Sequence, residues 1–424
     1  MSIHDAPTSD VESAHAWWRL VASLLVMTVA GSAMYAVMVV LPTIQAEFAV
    51  DRAGASLPFT MIMLGFGFGG VLMGRLTDRF GIVVPVVIAA VALCGGCLLA
   101  SRATTLWEFA LIQGLLVGFL GCSATFAPLI ADISHWFARR RGIAVAICAC
   151  GNYFAGAIWP PVVQHSLTAV GWRETYAWLG LFCLATMLPL ALVLRRRLRQ
   201  EPPVAGSIQT ATASAYPLGL TPNTLTALLF VAGLGCCVAM SMPQVHLVAL
   251  CSDLGYGPAR GAEMLSLMLG LGIISRLASG FIADRIGGLR TLLLGGALQG
   301  IALCLFLPAK GLVSLYVVSG LFGLFQGGIV PMYAIVVREY FSPREAGSRV
   351  GIVIMATLLG MALGGWMSGA IYDFSGSYTA AFVNGIGWNM LNVSITCFLL
   401  WQRRRLSETD ADTGSGEKNL AQKA

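Results

Sequence analysis

The chain has 424 residues, 57% of them hydrophobic and 11% charged, with a mean hydropathy of +0.79. Soluble domains carry about 25% charged residues, so this composition excludes a soluble fold and places the chain in a bilayer. The net charge of +6 sits in short segments between apolar runs, a distribution that follows membrane topology and speaks against nucleic acid as a partner.

Residues 1–17 are polar and acidic. They lack the basic start and small-residue cleavage site of a signal peptide, so the first apolar run is expected to remain as a span. Runs long enough to cross a bilayer follow at about 18–43, 54–76, 82–101, 105–131, 142–166, 173–194, 222–251, 260–284, 288–308, 311–338, 346–371 and 378–402. These twelve predict an all-α membrane protein. A basic stretch rich in Pro, Ser and Thr at 195–221 would link a six-helix bundle at 18–194 to a second at 222–402, with tails at 1–17 and 403–424. The 11 cysteines lie almost wholly inside apolar runs and read as packing residues. Cys94 and Cys97 have C-x-x-C spacing but no neighbouring His or Asp, so no metal or redox site is expected, and no cofactor.

The basic residues test the count. With both termini cytoplasmic, 20 of the 26 Lys and Arg fall in inner segments and five (Arg52, Arg102, Arg173, Arg260 and Lys310) in outer ones; Arg276 belongs to neither. This four-to-one bias, alternating loop by loop, follows the positive-inside rule.

The halves also repeat. Gly74, Asp78, Arg79 and Gly81 between spans two and three recur as Gly280, Asp284, Arg285 and Gly287 between spans eight and nine, offset by 206. Trp136–Phe137 aligns loosely with Tyr340–Phe341, and Gly171 with Gly376. Parallel repeats of six spans are a transporter signature.

The paired G-x-x-x-D-R-x-G loops resemble the signature loop of the major facilitator superfamily, over roughly residues 18–402. The resemblance implies two bundles rocking about a central site, with the two loops (Gly74, Asp78, Arg79; Gly280, Asp284, Arg285) in the inner gate, the aspartates in inter-helix contacts and the glycines admitting close helix approach. Shorter stretches are similar to the oxalate/formate antiporter and monocarboxylate porter branches: Trp17, Trp18 and Arg19; Leu41, Pro42, Glu47 and Phe48; Trp136 and Phe137 with Arg141 and Gly142; Gly171, Trp172 and Arg173. Those branches place a substrate-binding arginine in span eight, and Arg276 matches it. Departures accompany the match. Gly272 stands where animal porters carry an acid, no lysine precedes Lys310, and 346–371 lacks the lysine of the oxalate/formate exchanger. Gln113 stands where superfamily antiporters often carry an arginine in span four, which weakens a drug/proton antiporter reading.

Arg276 stands out without the resemblance. At 1.5 Å per residue it lies roughly 12 Å from Asp284 and roughly 24 Å from Arg260, well inside a hydrocarbon core about 30 Å thick. An arginine at that depth costs a few kcal/mol and faces a cavity or a partner. It is expected to bind an anion, although pairing with a helix C-terminus or backbone carbonyls, without touching substrate, is the structural alternative. Near the same depth, Asn152, Tyr153, Tyr35, Gln326 and Tyr333 are candidate cavity groups, and interhelical contacts are the competing role for each. His165 and His246 are candidates for carrying a coupled proton, while Asp132 reads as an interface carboxylate. One buried cation balances one carboxylate, so a small organic monocarboxylate is expected, moved through the inner (plasma) membrane with protons. The alternative is an exporter of hydrophobic or amphipathic compounds in which Arg276 is structural. No Ser/His/Asp grouping, phosphate loop or metal spacing points to an enzyme.

Overall fold

The computed structural model describes residues 11–196 and 217–421; residues 197–216 of the expected linker lie outside the described residues, as do 1–10 and 422–424. Among the described residues twelve helices are long and apolar enough to cross a membrane: α1 (Ala14–Glu47), α2 (Arg52–Phe80), α3 (Val83–Ala100), α4 (Leu106–Trp136), α5 (Arg141–Val170), α6 (Trp172–Val193), α7 (Pro222–Asp253), α8 (Pro258–Ile286), α9 (Gly288–Phe306), α10 (Leu312–Tyr340), α11 (Glu345–Ser375) and α12 (Tyr378–Leu406). Their ends follow local chemistry. Ser13 caps α1 by accepting from the Ala16 N–H, and Asp51 caps α2 through Gly54. Gly81 and Gly287, the last glycines of the two repeated loops, end α2 and α8 at φ 79° and 86°, a region L side chains rarely adopt. Several helices run beyond the expected spans: α1 extends from Ala14 to Glu47, α2 from Arg52 to Phe80, and the helix of α12 runs on to Ala421.

The helices form two bundles of six. In the first, α1 packs on α5, α2 on α4 and α3 on α6; in the second, α7 packs on α11, α8 on α10 and α9 on α12. The pairs correspond one to one under the sequence repeat. Across the seam α2 packs on α11, α8 on α5 and α1 on α7, again the set that exchanging the halves reproduces. Polar groups tie the first bundle at the face carrying the repeated loops, the loop face. There Arg19 of α1 reaches Asp132 of α4 through Nε and Nη2 at 2.7 and 2.8 Å, donates to the Leu194 and Arg196 carbonyls, and lies over the Trp136 ring. At the far face Glu47 accepts from Arg173 at 2.6 Å and from the Trp172 indole, so two separate stretches of the porter-like pattern meet.

Candidate functional site

Three helices break at mid-membrane. In α4 the stretch Gln113–Gly121 is π-helical and Cys122–Thr125 is 3-10. In α5 the helix stops at Ala149 and restarts at Gly151. In α10 it stops at Gln326 and restarts at Ile329. The α10 break has a local cause: the i+4 partner of the Gly327 carbonyl is Pro331, which has no N–H. That carbonyl accepts from Arg276 Nε at 3.2 Å, and the Gly328 N–H donates to Ser275 Oγ at 3.2 Å. Arg276 Nη1 donates to the Ala149 carbonyl at the α5 break, at 2.8 Å.

Arg276 is thus 8% exposed and bridges the halves through two backbone carbonyls. Its Cζ sits 4.3 Å from the centre of the Tyr153 ring. Among the described residues it pairs with no carboxylate, and the Tyr153 side chain is within hydrogen-bonding reach of the guanidinium. Carbonyl dipoles and a π face ease the burial of a guanidinium without neutralising it.

Glycines make room for these rings. A Cβ at Gly272, one turn before Arg276, would overlap the Tyr153 ring, and one at Gly156 would stand 2.7 Å from Tyr35 Cζ. The position where animal porters carry an acid is therefore filled in space by an aromatic ring from α5.

These residues border a cavity of about 680 Å³ between the bundles. Arg276, Asn152, Tyr153 and Tyr35 lie on its wall. Neither Asn152 nor the Tyr35 hydroxyl has a hydrogen-bond partner among the described residues. Gln326 and Tyr333 do not line it. Gln326 stands one layer back, accepting at 3.0 Å from Gln244, which does line the cavity, and the Tyr333 hydroxyl donates to Asn392 of α12 at 2.8 Å. Depth along α10 set their height in the membrane, but not the face of the helix they occupy.

The lining reaches Gly70 and Val71 of α2 and Gly347 and Ser348 of α11, so the cavity extends toward the loop face. In keeping with that opening, Asp78, Arg79, Asp284 and Arg285 are exposed, and neither aspartate has a partner among the described residues. A Cβ at Gly74 or Gly280 would meet nothing within 4 Å. The close approach expected of these two glycines is absent because the halves stand apart here.

The far end is closed by a cluster the sequence reading did not assemble. Arg52 of α2 bonds both Asp253 oxygens at 3.0 Å, and its Cζ lies 4.8 Å from the Tyr372 ring centre. Asp373 of α11 accepts from the Arg52 and Ala53 N–H groups at 2.8 and 2.7 Å, capping α2 from the opposite bundle. His246 is fully buried beside this cluster, its Nε2 2.8 Å from the Gly365 carbonyl and its Nδ1 3.4 Å from the Tyr378 hydroxyl. His165 is exposed on α5. The available signal was the meeting of opposite charges at the same ends of spans two, seven and eleven.

The model of the Major Facilitator Superfamily matches residues 23–317 and 229–423. The chain is 31% identical over 323 residues to monocarboxylate transporter 13 of Bos taurus, covering 74% of this chain and 73% of that protein. It is 31% identical over 337 residues to the Rattus norvegicus protein of that name, with 78% and 75% covered. An MFS-type transporter, opdF of Penicillium oxalicum, is 26% identical over 308 residues, covering 72% and 71%. Among solved structures, a bacterial homologue of the human lysosomal transporter Spinster, described as inward-facing and occupied, superposes with a TM-score of 0.69 at 14% identity, covering 91% of this chain and 96% of that one. A variant of the nucleoside transporter NupG gives 0.70 at 15% identity, covering 92% and 99%.

Proposed function

The chain belongs to the major facilitator superfamily and is a multi-pass membrane transporter, and on that premise we propose that it carries an organic monocarboxylate by alternating access about Arg276. The observation behind this reading is a buried guanidinium on the wall of a central cavity, with no carboxylate partner among the described residues. One carboxylate oxygen accepts from Nη2, and Asn152 and the Tyr35 hydroxyl are free to meet the other. A dianion would bring a second negative charge to a wall with one cation. The bovine and rat relatives named monocarboxylate transporters support the same substrate class.

The positive-inside rule makes the loop face cytoplasmic, in the plasma membrane. The state described here is then open toward the cytoplasm, with the Gly74–Gly81 and Gly280–Gly287 loops parted as the inner gate. The coupling ion in this reading is a proton. No carboxylate stands on the cavity wall among the described residues, and of the two candidate histidines His246, linked through Tyr378 to the Arg52 cluster, is the better placed.

The carbonyl bonds to Arg276 favour a second reading, an exporter of hydrophobic or amphipathic compounds in which Arg276 only ties the halves together. Uptake of labelled carboxylates into proteoliposomes separates the two. Arg276→Lys keeps the charge but loses the planar fork, and the loss of a charge-assisted hydrogen bond of about 1.5–3 kcal/mol predicts a 10- to 100-fold weaker interaction. Unchanged uptake by that variant would favour the exporter.

A further inference from the structure

The polar side chains on the cavity wall gather mainly around Arg276; of the hydroxyls elsewhere on it, Ser123 and Thr357 donate to backbone carbonyls of their own helices and Ser348 lies toward the loop face. Arg276, Tyr35, Asn152, Tyr153 and Gln244 come from α8, α1, α5 and α7, and Arg276 is the one charged group lining the cavity among the described residues. Most of the rest is apolar and comes from both bundles. Six methionines (Met34, Met38, Met63, Met240, Met355 and Met361) line the cavity. Four phenylalanines, Phe59, Phe66, Phe126 and Phe230, join them.

A two- or three-carbon acid held at Arg276 would leave this surface against water, or against nothing once the halves close. Apolar surface in an occluded site is stabilised by an apolar ligand that replaces the water. The cavity's 680 Å³ falls within the range of about 300–1,000 Å³ typical of sites for drug-sized molecules. Methionine side chains are unbranched and polarisable, and they adapt to differently shaped bodies. From the cationic end at Arg276 and this large Met/Phe surface, we infer that the cargo is an amphipathic monocarboxylate, an aryl or medium-chain acid, whose carboxylate meets Arg276 and whose body lies along the apolar wall. The inference rests on the carboxylate reading above and replaces the small acid expected from sequence with a larger one.

Thermal-shift or calorimetric titration of the purified full-length protein tests it with acetate, lactate, hexanoate, octanoate and phenylacetate, and with phenylacetamide as the uncharged counterpart. Burial of each methylene predicts about fourfold tighter binding, so octanoate binds at least tenfold more tightly than hexanoate and both exceed lactate. Phenylacetamide binds at least tenfold more weakly than phenylacetate. Met355→Gln, which puts an amide on the wall, lowers octanoate affinity more than lactate affinity, whereas Met355→Leu keeps the preference for octanoate. Equal affinity across the acids, or tightest binding of lactate, overturns the inference and leaves Arg276 as a carboxylate site. Equal binding of the amide and the acid overturns the carboxylate reading itself, and the inference with it. A wild-type preference for octanoate that survives Met355→Gln intact also counts against the apolar wall as its source.

Discussion

Three arginines are buried among the described residues, Arg19 at 1%, Arg52 at 6% and Arg276 at 8% exposure, and their partners separate them. Arg19 and Arg52 each hold an aspartate through two hydrogen bonds near a helix end; Arg276 holds carbonyls at mid-membrane. Removing one member of a buried pair strands the other, at about 3–5 kcal/mol. Asp132→Ala should therefore lower stability by roughly 3 kcal/mol, measured as reduced thermal stability in detergent, with the proposed carboxylate site itself intact. At Arg276 the Tyr153 ring contributes its π face, worth about 2 kcal/mol when desolvated. Tyr153→Phe should keep carboxylate affinity within about twofold, while Tyr153→Ala should weaken it by roughly an order of magnitude. A hydroxyl-dependent role for Tyr153 would instead make the Phe variant as weak as the Ala variant.

At the scale of elements, the site depends on broken helices. Pro331 leaves the Gly327 carbonyl without its helical donor, and Arg276 takes it. Pro331→Ala restores an N–H at that position and lets α10 close its own ladder in competition with the guanidinium. Carboxylate affinity should fall a few-fold, with hydrogen–deuterium exchange slowed around residues 327–333; unchanged exchange there would show that the break has another cause.

The α10 and α11 spans also mark where sequence reading stops. Both were legible as membrane helices from length and hydropathy, and the buried arginine on the cavity wall from its depth in α8. Which face of each helix turns inward was not, because an almost uniformly apolar helix carries no amphipathic pattern to orient it. Tyr333 and Gln326 were placed at the right depth, yet they contact neighbouring helices. Nine residues of α11, from Gly347 to Met361, line the cavity although none is charged or aromatic. Its spaced glycines were the available sign of close packing, since a Cβ at Gly360 or Gly364 would press on the α7 backbone.

At the scale of the whole molecule, the repeat read from the loops reappears as matched contacts across the seam, and the two ends of that seam differ. Toward the loop face the halves are parted; at the far face Arg52, Asp253 and Asp373 join them. That asymmetry was beyond the sequence, in which the two halves read alike and nothing says which end of the seam is closed. Arg52→Gln leaves Asp253 without its cation, and the closed end should loosen. Backbone exchange in the first turns of α2 and the last turns of α11 is expected to speed up about tenfold, corresponding to a loss of about 1.4 kcal/mol. Protection equal to wild type would mean that apolar packing, such as Phe59 against Gly365, holds that end without the charges.

The bond from Arg276 Nη1 to the Ala149 carbonyl runs from one bundle to the other, so it has a bearing on kinetics. In the proposed carboxylate cycle, a binding cation that already rests on an internal acceptor has a stand-in for its passenger, and the carrier can reset without one. Net flux down a gradient should then proceed at a rate comparable to exchange, and preloading vesicles with unlabelled acid should accelerate entry of labelled acid little. A large acceleration would mean instead that the unloaded protein stalls, and that the carbonyl is too weak a substitute to carry the charge through the turn.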